Sequence, residues 1–207
     1  MPEVTKENMT GANVISHKRM MAIELIIQHP EYIPIVKDKY LTDDILEYCL
    51  MEEPSVFRYI PEPSTRIINT ALGLDGGNLK YIKKKVRKEL PMESFIRALS
   101  SNPREALPYI PKNLLTEEMK AEIFDSSPEA IKESNIKIAQ DDFLKSRIKE
   151  NPQNIKFVID PSDELKCIAL REDPNIALYY DELTPAMMDI VDEKYPELKE
   201  VLPNYKR

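Results

Sequence analysis

The sequence is poor in the residues that usually build an active site. It holds two histidines, two cysteines and four glycines. Neither His17 nor His29 stands in a metal-ligand spacing with a cysteine or carboxylate, such as HExxH. Cys49 and Cys167 lie far apart, each among apolar residues of helical spacing. That placement argues against a disulfide framework and for burial as small hydrophobes in a reducing, cytoplasmic setting. It also leaves no support for a Cys–His nucleophile. No EF-hand loop and no GxxxxGK(S/T) phosphate loop occurs. Long apolar runs are missing too. The longest, Met20 to Ile27, is interrupted by Glu24 and is far too short to cross a bilayer. The opening MPEVTKENMTGAN lacks the apolar core of a signal peptide. Excess positive charge is absent: the net charge of −7 argues against a general nucleic-acid binder. These absences predict no catalytic residues, no metal, no cofactor and no membrane association.

Proline is what the sequence has in abundance, with 17 copies. Most of them follow a pattern. A polar residue precedes proline at His29-Pro30, Glu53-Pro54, Asn102-Pro103, Ser127-Pro128, Asn151-Pro152 and Asp173-Pro174. Gly76-Gly77-Asn78 fills the one gap. With Gly77 in the proline position, the steps are 24, 23, 26, 25, 24 and 22 residues. Asn, Asp or Ser before the proline caps a helix by accepting its free N–H groups, and proline suits the first helical position. Each step therefore reads as a helix start, His29 included. Apolar residues spaced three or four apart follow, as in Val56-Phe57 with Ile60, and a proline often closes the element, as in Ile60-Pro61.

A second helix is expected in each unit. It opens at Leu41-Thr42-Asp43-Asp44, Leu115-Thr116-Glu117-Glu118, Gln140-Asp141-Asp142, Pro161-Ser162-Asp163-Glu164 and Leu183-Thr184-Pro185. Thr or Ser supplies the cap, and acids in the first turn complement the helix dipole. The four acidic pairs share this one place in the repeat, so dipole complementation accounts for them without catalysis or cation binding. Helices of about 8–12 residues are marginal alone in water and gain stability by packing on neighbours. The expected fold is all-α: a solenoid-like stack of about seven helix–turn–helix units over residues 14–202. Residues 1–13 read as an N-terminal arm, 203–207 as a tail, and the glycines at 73–77 as a bend. Ser16 is expected to cap a first helix that closes the stack.

The polar–proline start, the apolar stripe and the closing Ala169-Leu170-Arg171-Glu172-Asp173-Pro174 together resemble short α-helical repeats of about 24 residues found in proteins of large bacteriophages and giant viruses. The resemblance spans roughly residues 29–200, and the unit at 76–101 departs from it most. It implies an all-helical repeat, a viral origin and, if viral, a host-cytoplasmic location. It carries no catalytic residue and implies no activity.

One segment breaks the repeat grammar. After Gly73-Leu74-Asp75-Gly76-Gly77 comes a basic run with Lys80, Lys83, Lys84, Lys85, Arg87 and Lys88. As one helix it would place Lys80, Lys84 and Arg87 or Lys88 on a single face, able to meet phosphates or an acidic partner. Tyr59, Tyr109, Tyr179 and Tyr180 either pack in the core or anchor contacts, since tyrosine is enriched at interfaces. The expected function is a non-catalytic protein–protein interaction module and, if the origin is viral, a phage-encoded protein that binds and modulates a host factor. A virion or assembly component is the second reading. Nucleic-acid or acidic-partner binding through 80–88 is the third.

Overall fold

The computed structural model describes residues 17–205. Two segments read from sequence, the arm at 1–13 and the cap at Ser16, lie outside them. The described residues form helices and no strands. They divide into two compact units, Met1–Ala106 and Leu107–Arg207. The glycines at 73–77 fall inside the first.

In the first unit, α1 (His17–Gln28), α2 (Asp43–Glu52), α3 (Thr65–Leu74), α4 (Lys84–Lys88), α5 (Met92–Ser101) and α6 (Pro103–Ala106) follow in order. The second unit holds α7 (Glu117–Ser126), α8 (Pro128–Glu133), α9 (Asp141–Glu150), α10 (Asp163–Glu172) and α11 (Pro185–Lys194). Seven of these, α2, α3, α5, α7, α9, α10 and α11, are ten residues long. Each is followed, after one residue, by a short helix.

That single residue determines the length of both. Glu53, Asp75, Asn102, Ser127, Asn151 and Asp173 all sit in extended backbone, with φ between −140° and −157°. At five of the six the next residue is proline, which disfavours the α conformation there, so the long helix must stop; Asp75 is followed by Gly76 instead. The backbone N–H still closes the long helix, as in Glu53 N to Cys49 O at 2.8 Å. The side chain then opens the short one: Glu53, Asp75, Asn151 and Asp173 accept from the N–H two residues on, at 2.9–3.1 Å. His29 holds the equivalent position without a side-chain cap.

The short elements differ from the sequence expectation. Most are 3₁₀-helices of five or six residues: Pro30–Ile35, Pro54–Tyr59, Gly76–Tyr81, Pro152–Phe157, Pro174–Tyr179 and Pro196–Glu200. Only Pro103–Ala106 and Pro128–Glu133 are α-helical at this place. A segment this brief satisfies more of its groups with the tighter i→i+3 bond. Two further corrections concern the register. Counted from the first residue of each long helix, proline stands at position 12. Gly76, not Gly77, fills that position after α3. An unanticipated copy, Tyr195-Pro196, follows α11.

Burial has the same period. Positions 3, 4, 7 and 8 are buried in α2 (Ile45, Leu46, Cys49, Leu50), in α3 (Ile67, Ile68, Ala71, Leu72) and in α5 (Ser94, Phe95, Ala98, Leu99). Covering a leucine- or isoleucine-sized side chain stabilises by about 1.5–3 kcal/mol. Neighbouring long helices provide that cover: α2 packs on α3, α3 on α5, α9 on α10 and α10 on α11. Polar links tie the same neighbours. Ser64 accepts from Ile67 N at 3.3 Å to cap α3, and donates to Asp43 at 2.7 Å in the first turn of α2. Glu47 of α2 receives the Thr70 hydroxyl at 2.8 Å and the Arg66 guanidinium. Those two contacts, Thr70 first, hold its carboxyl below the usual range. In the second unit Arg147 of α9 grips Asp125 of α7 at 2.6 and 2.9 Å. Asn78 and Asn154, third in their short helices, each donate back to the carbonyl seven residues earlier, Ala71 and Arg147, at 2.8 and 3.1 Å. At the C-terminal end, buried Asn204 donates to Ala177 O and Tyr180 O at 2.7 and 2.6 Å, which holds this part of the expected tail against the second unit.

Gly76 marks the tightest packing. A Cβ there would lie 2.1 Å from Ala98 O and 2.9 Å from Asn102 O, so only glycine lets the short helix meet the end of α5. Gly73, inside α3, has room: its Cβ would meet only the Arg97 side chain at 3.8 Å. Gly76→Ala should therefore destabilise by about 1–3 kcal/mol through overpacking. Gly73→Ala should stabilise by about 0.5–1 kcal/mol through helix propensity. Urea unfolding of the two variants checks both signs.

Candidate functional site

The last residue of a short helix is aromatic again and again. It is Tyr59 after Pro54, Tyr81 after Gly76, Tyr109 in Leu107–Tyr109, Phe157 after Pro152 and Tyr179 after Pro174. A cation precedes three of them, and it lies over the ring beside it. The distances to the ring centre are 4.7 Å for Arg58 on Tyr59, 5.2 Å for Lys80 on Tyr81 and 5.1 Å for Lys156 on Phe157. Tyr59 also accepts from Arg58 at 2.8 Å. Tyr81 and Tyr179 are each 45% exposed, whereas Tyr59, Tyr109 and Phe157 are half-buried. Within the first unit the short helices ending at Tyr59 and Tyr81 are in contact, and within the second those ending at Phe157 and Tyr179 are. Within each unit the short helices thus form an edge of rings and cations.

In the second unit the edge deepens into an open groove of about 340 Å³. Ile155, Val158 and Pro161 form its apolar part, Tyr179 and Tyr180 its aromatic part, and Lys132 and Lys156 supply charge. The Tyr179 hydroxyl donates to Gln153, whose amide is fixed in turn by Asp173 at 2.6 Å. Lys132 donates to Lys156 O at 2.5 Å, which ties α8 to the neighbouring short helix. Lys166 lies 5.5 Å from the Tyr180 ring centre. These cations stand in the more acidic half of the chain: Leu107–Arg207 carries fourteen basic and twenty-one acidic residues, against fifteen of each in Met1–Ala106.

Burial pushes the Tyr180 phenol up to about 12, with the Asp163 charge adding to it, so the hydroxyl is a neutral donor at ordinary pH. Burial likewise raises the thiols of Cys49, to about 12, and of Cys167, which disfavours the reactive thiolate. Among the described residues no three His, Cys, Asp or Glu side chains converge on a metal-sized site.

Sequence reasoning named Lys80, Lys83, Lys84, Lys85, Arg87, Lys88, Tyr59, Tyr109 and Tyr180, and the structure divides them. Tyr59 and Lys80 lie on the short-helix edge of the first unit; Tyr180 lines the groove of the second. Tyr109 ends a short helix and is half-buried. The basic run does not form the single helix that would align it. Lys80 ends in the 3₁₀-helix, Ile82 turns into the core in extended backbone, and α4 starts only at Lys84. Arg87 turns back to donate to Leu79 O at 3.0 Å, while Lys80 and Lys83 approach Glu105 and Glu62 at 4.0 Å. Sequence reasoning missed Arg58, Tyr81, Lys132, Lys156 and Phe157. The recurring dipeptides Arg58-Tyr59, Lys80-Tyr81 and Lys156-Phe157 are the signal that identifies most of them.

Comparison of the chain with family models, curated proteins and solved structures finds no match.

Because the Tyr180 phenol is raised, its contribution to stability is complete below about pH 10. It is lost as pH rises from there through about 12. An ultraviolet titration should show a tyrosine ionisation step at about pH 12, and Tyr180→Phe should remove it.

Proposed function

We propose that this chain is a non-catalytic protein–protein interaction module. In this reading, helical repeats of the solenoid kind present an edge of paired cations and rings to an acidic, extended segment of another protein. The recurrence of a cation beside a ring at the end of the short helices carries the reading, the ring being exposed at Tyr81 and half-buried at Tyr59 and Phe157. A ring supplies large contact area at low entropic cost, and a neighbouring cation selects for carboxylates. The groove at Tyr179 and Tyr180 supports it, being long on apolar surface and edged by lysines. The raised thiols and phenol support the non-catalytic part, since none of these groups is prepared to attack or to exchange a proton near neutrality. Rings at repeat intervals, Tyr59 with Tyr81 and Phe157 with Tyr179, also suit an extended ligand better than a compact one, because one segment can reach both members of a pair.

The test is selection of peptides from a random displayed library on the immobilised chain. Peptides that combine Asp or Glu with an apolar residue should be enriched. Tyr179→Ala should weaken their binding about tenfold, as for a central interface anchor. Lys156→Glu should weaken it further at low salt than at high salt. Enrichment of basic peptides, or binding indifferent to both substitutions, would refute the reading.

A further inference from the structure

The repeat register assigns a direction to each helix face, and none of the described residues covers one of those faces of α1. In later helices, positions 3 and 7 look toward the preceding long helix. Ser94, position 3 of α5, donates to Asn69 of α3 at 2.7 Å. Phe143, position 3 of α9, meets the Phe124 ring of α7 edge-on at 6.0 Å, and Arg147, position 7, reaches Asp125 of α7. In α2, α3, α5, α10 and α11 both positions are buried. Counting back from Pro30 at position 12, Met21 and Leu25 are positions 3 and 7 of α1. They are apolar, as the register demands, yet 56% and 37% exposed, whereas Ala22 and Ile26 on the next face are buried.

We propose that this face is the contact between two copies of the chain, with α1 packed antiparallel on α1 about a two-fold axis. The stripe itself argues for this occupant. Lys18, Met21, Leu25 and Gln28 are spaced 3, 4 and 3, so they share one side of the helix. That spacing reads the same in both directions. An antiparallel partner sets each Met21 against Leu25 of the other copy, and each Lys18 against the other copy's Gln28. The charges argue for it as well. α1 is the long helix that opens with Lys18 and Arg19, has no acid in its first turn and has no base in its last. By itself that opposes the helix dipole; beside an antiparallel copy, Lys18 meets the carbonyl end of the partner helix. The far end of the repeats offers no match: position 8 of α11 is Asp192, engaged by Lys199 at 2.6 Å and by Tyr205 at 2.5 Å.

One helix pair is a small interface by the standards of stable dimers, so the association is weak and concentration-dependent. Sedimentation of the full chain, from low micromolar to submillimolar, should show the mean mass climbing from that of one chain toward that of two. Met21→Asp and Leu25→Asp should each abolish the climb while the circular-dichroism spectrum stays unchanged, since both side chains are exposed. Lys18→Glu should weaken it at least several-fold, and adding Gln28→Lys should restore it, a rescue specific to the antiparallel register. A mass that stays monomeric at every concentration would overturn the proposal, as would growth beyond two chains or association that survives Leu25→Asp.

Discussion

Everything in this structure depends on one extended residue between two helices. When Asp173 leaves the α region, its N–H ends α10 and its carboxylate starts the next helix two residues on. The Asn175 N–H, its first hydrogen-bond donor, holds that carboxyl below the usual range, so it is ionised and fully accepting at neutral pH. The same device at Glu53, Asp75 and Asn151 limits each long helix to ten residues. Helices this short cannot persist alone, and the burial at positions 3, 4, 7 and 8 follows from the need to be covered. Local backbone chemistry thus sets the element length, and the element length compels the packing.

The parts of this arrangement that are local were readable from residues alone. Asp173-Pro174, or Ser162 ahead of Asp163-Glu164, states its role within four residues, because a cap and a proline act on their own neighbours. Ser162 and Thr184 do accept from the N–H groups three residues on, at 3.3 and 3.4 Å. What was not readable depends on contacts distant in sequence. An apolar spacing of three and four fits an α-turn and a 3₁₀-turn equally, so Pro54–Tyr59 gave no sign of its type. Gly76 is dictated by Ala98 O, more than twenty residues away. Tyr195-Pro196 was hidden because tyrosine offers no capping oxygen of the usual kind; its hydroxyl instead reaches Arg171 O at 2.9 Å.

The candidate site was half legible for a related reason. Basic residues adjacent in sequence suggested one patch at 80–88, but buried Ile82 pulls the chain inward and separates them. Rings far apart in sequence form the better surface, because Tyr59 and Tyr81 end successive short helices, as do Phe157 and Tyr179. Their common register emerges only once Pro54, Gly76, Pro152 and Pro174 are aligned as the twelfth residue of their units.

That alignment also shows where length is free to vary. From α2 on, the block from the start of a ten-residue helix to the start of its short one is the same, whereas the return to the next long helix is not. Five residues suffice after Tyr59, after Phe157 and after Tyr179, but ten intervene between Tyr81 and Met92. The extra length holds α4 and four of the five lysines of the basic run, Lys83, Lys84, Lys85 and Lys88. The scaffold closes without such a stretch elsewhere, so this return is surplus to folding. The lysine-rich turn is an appendage on the frame, free to lengthen, shorten or change its charge while the helices around it keep their register.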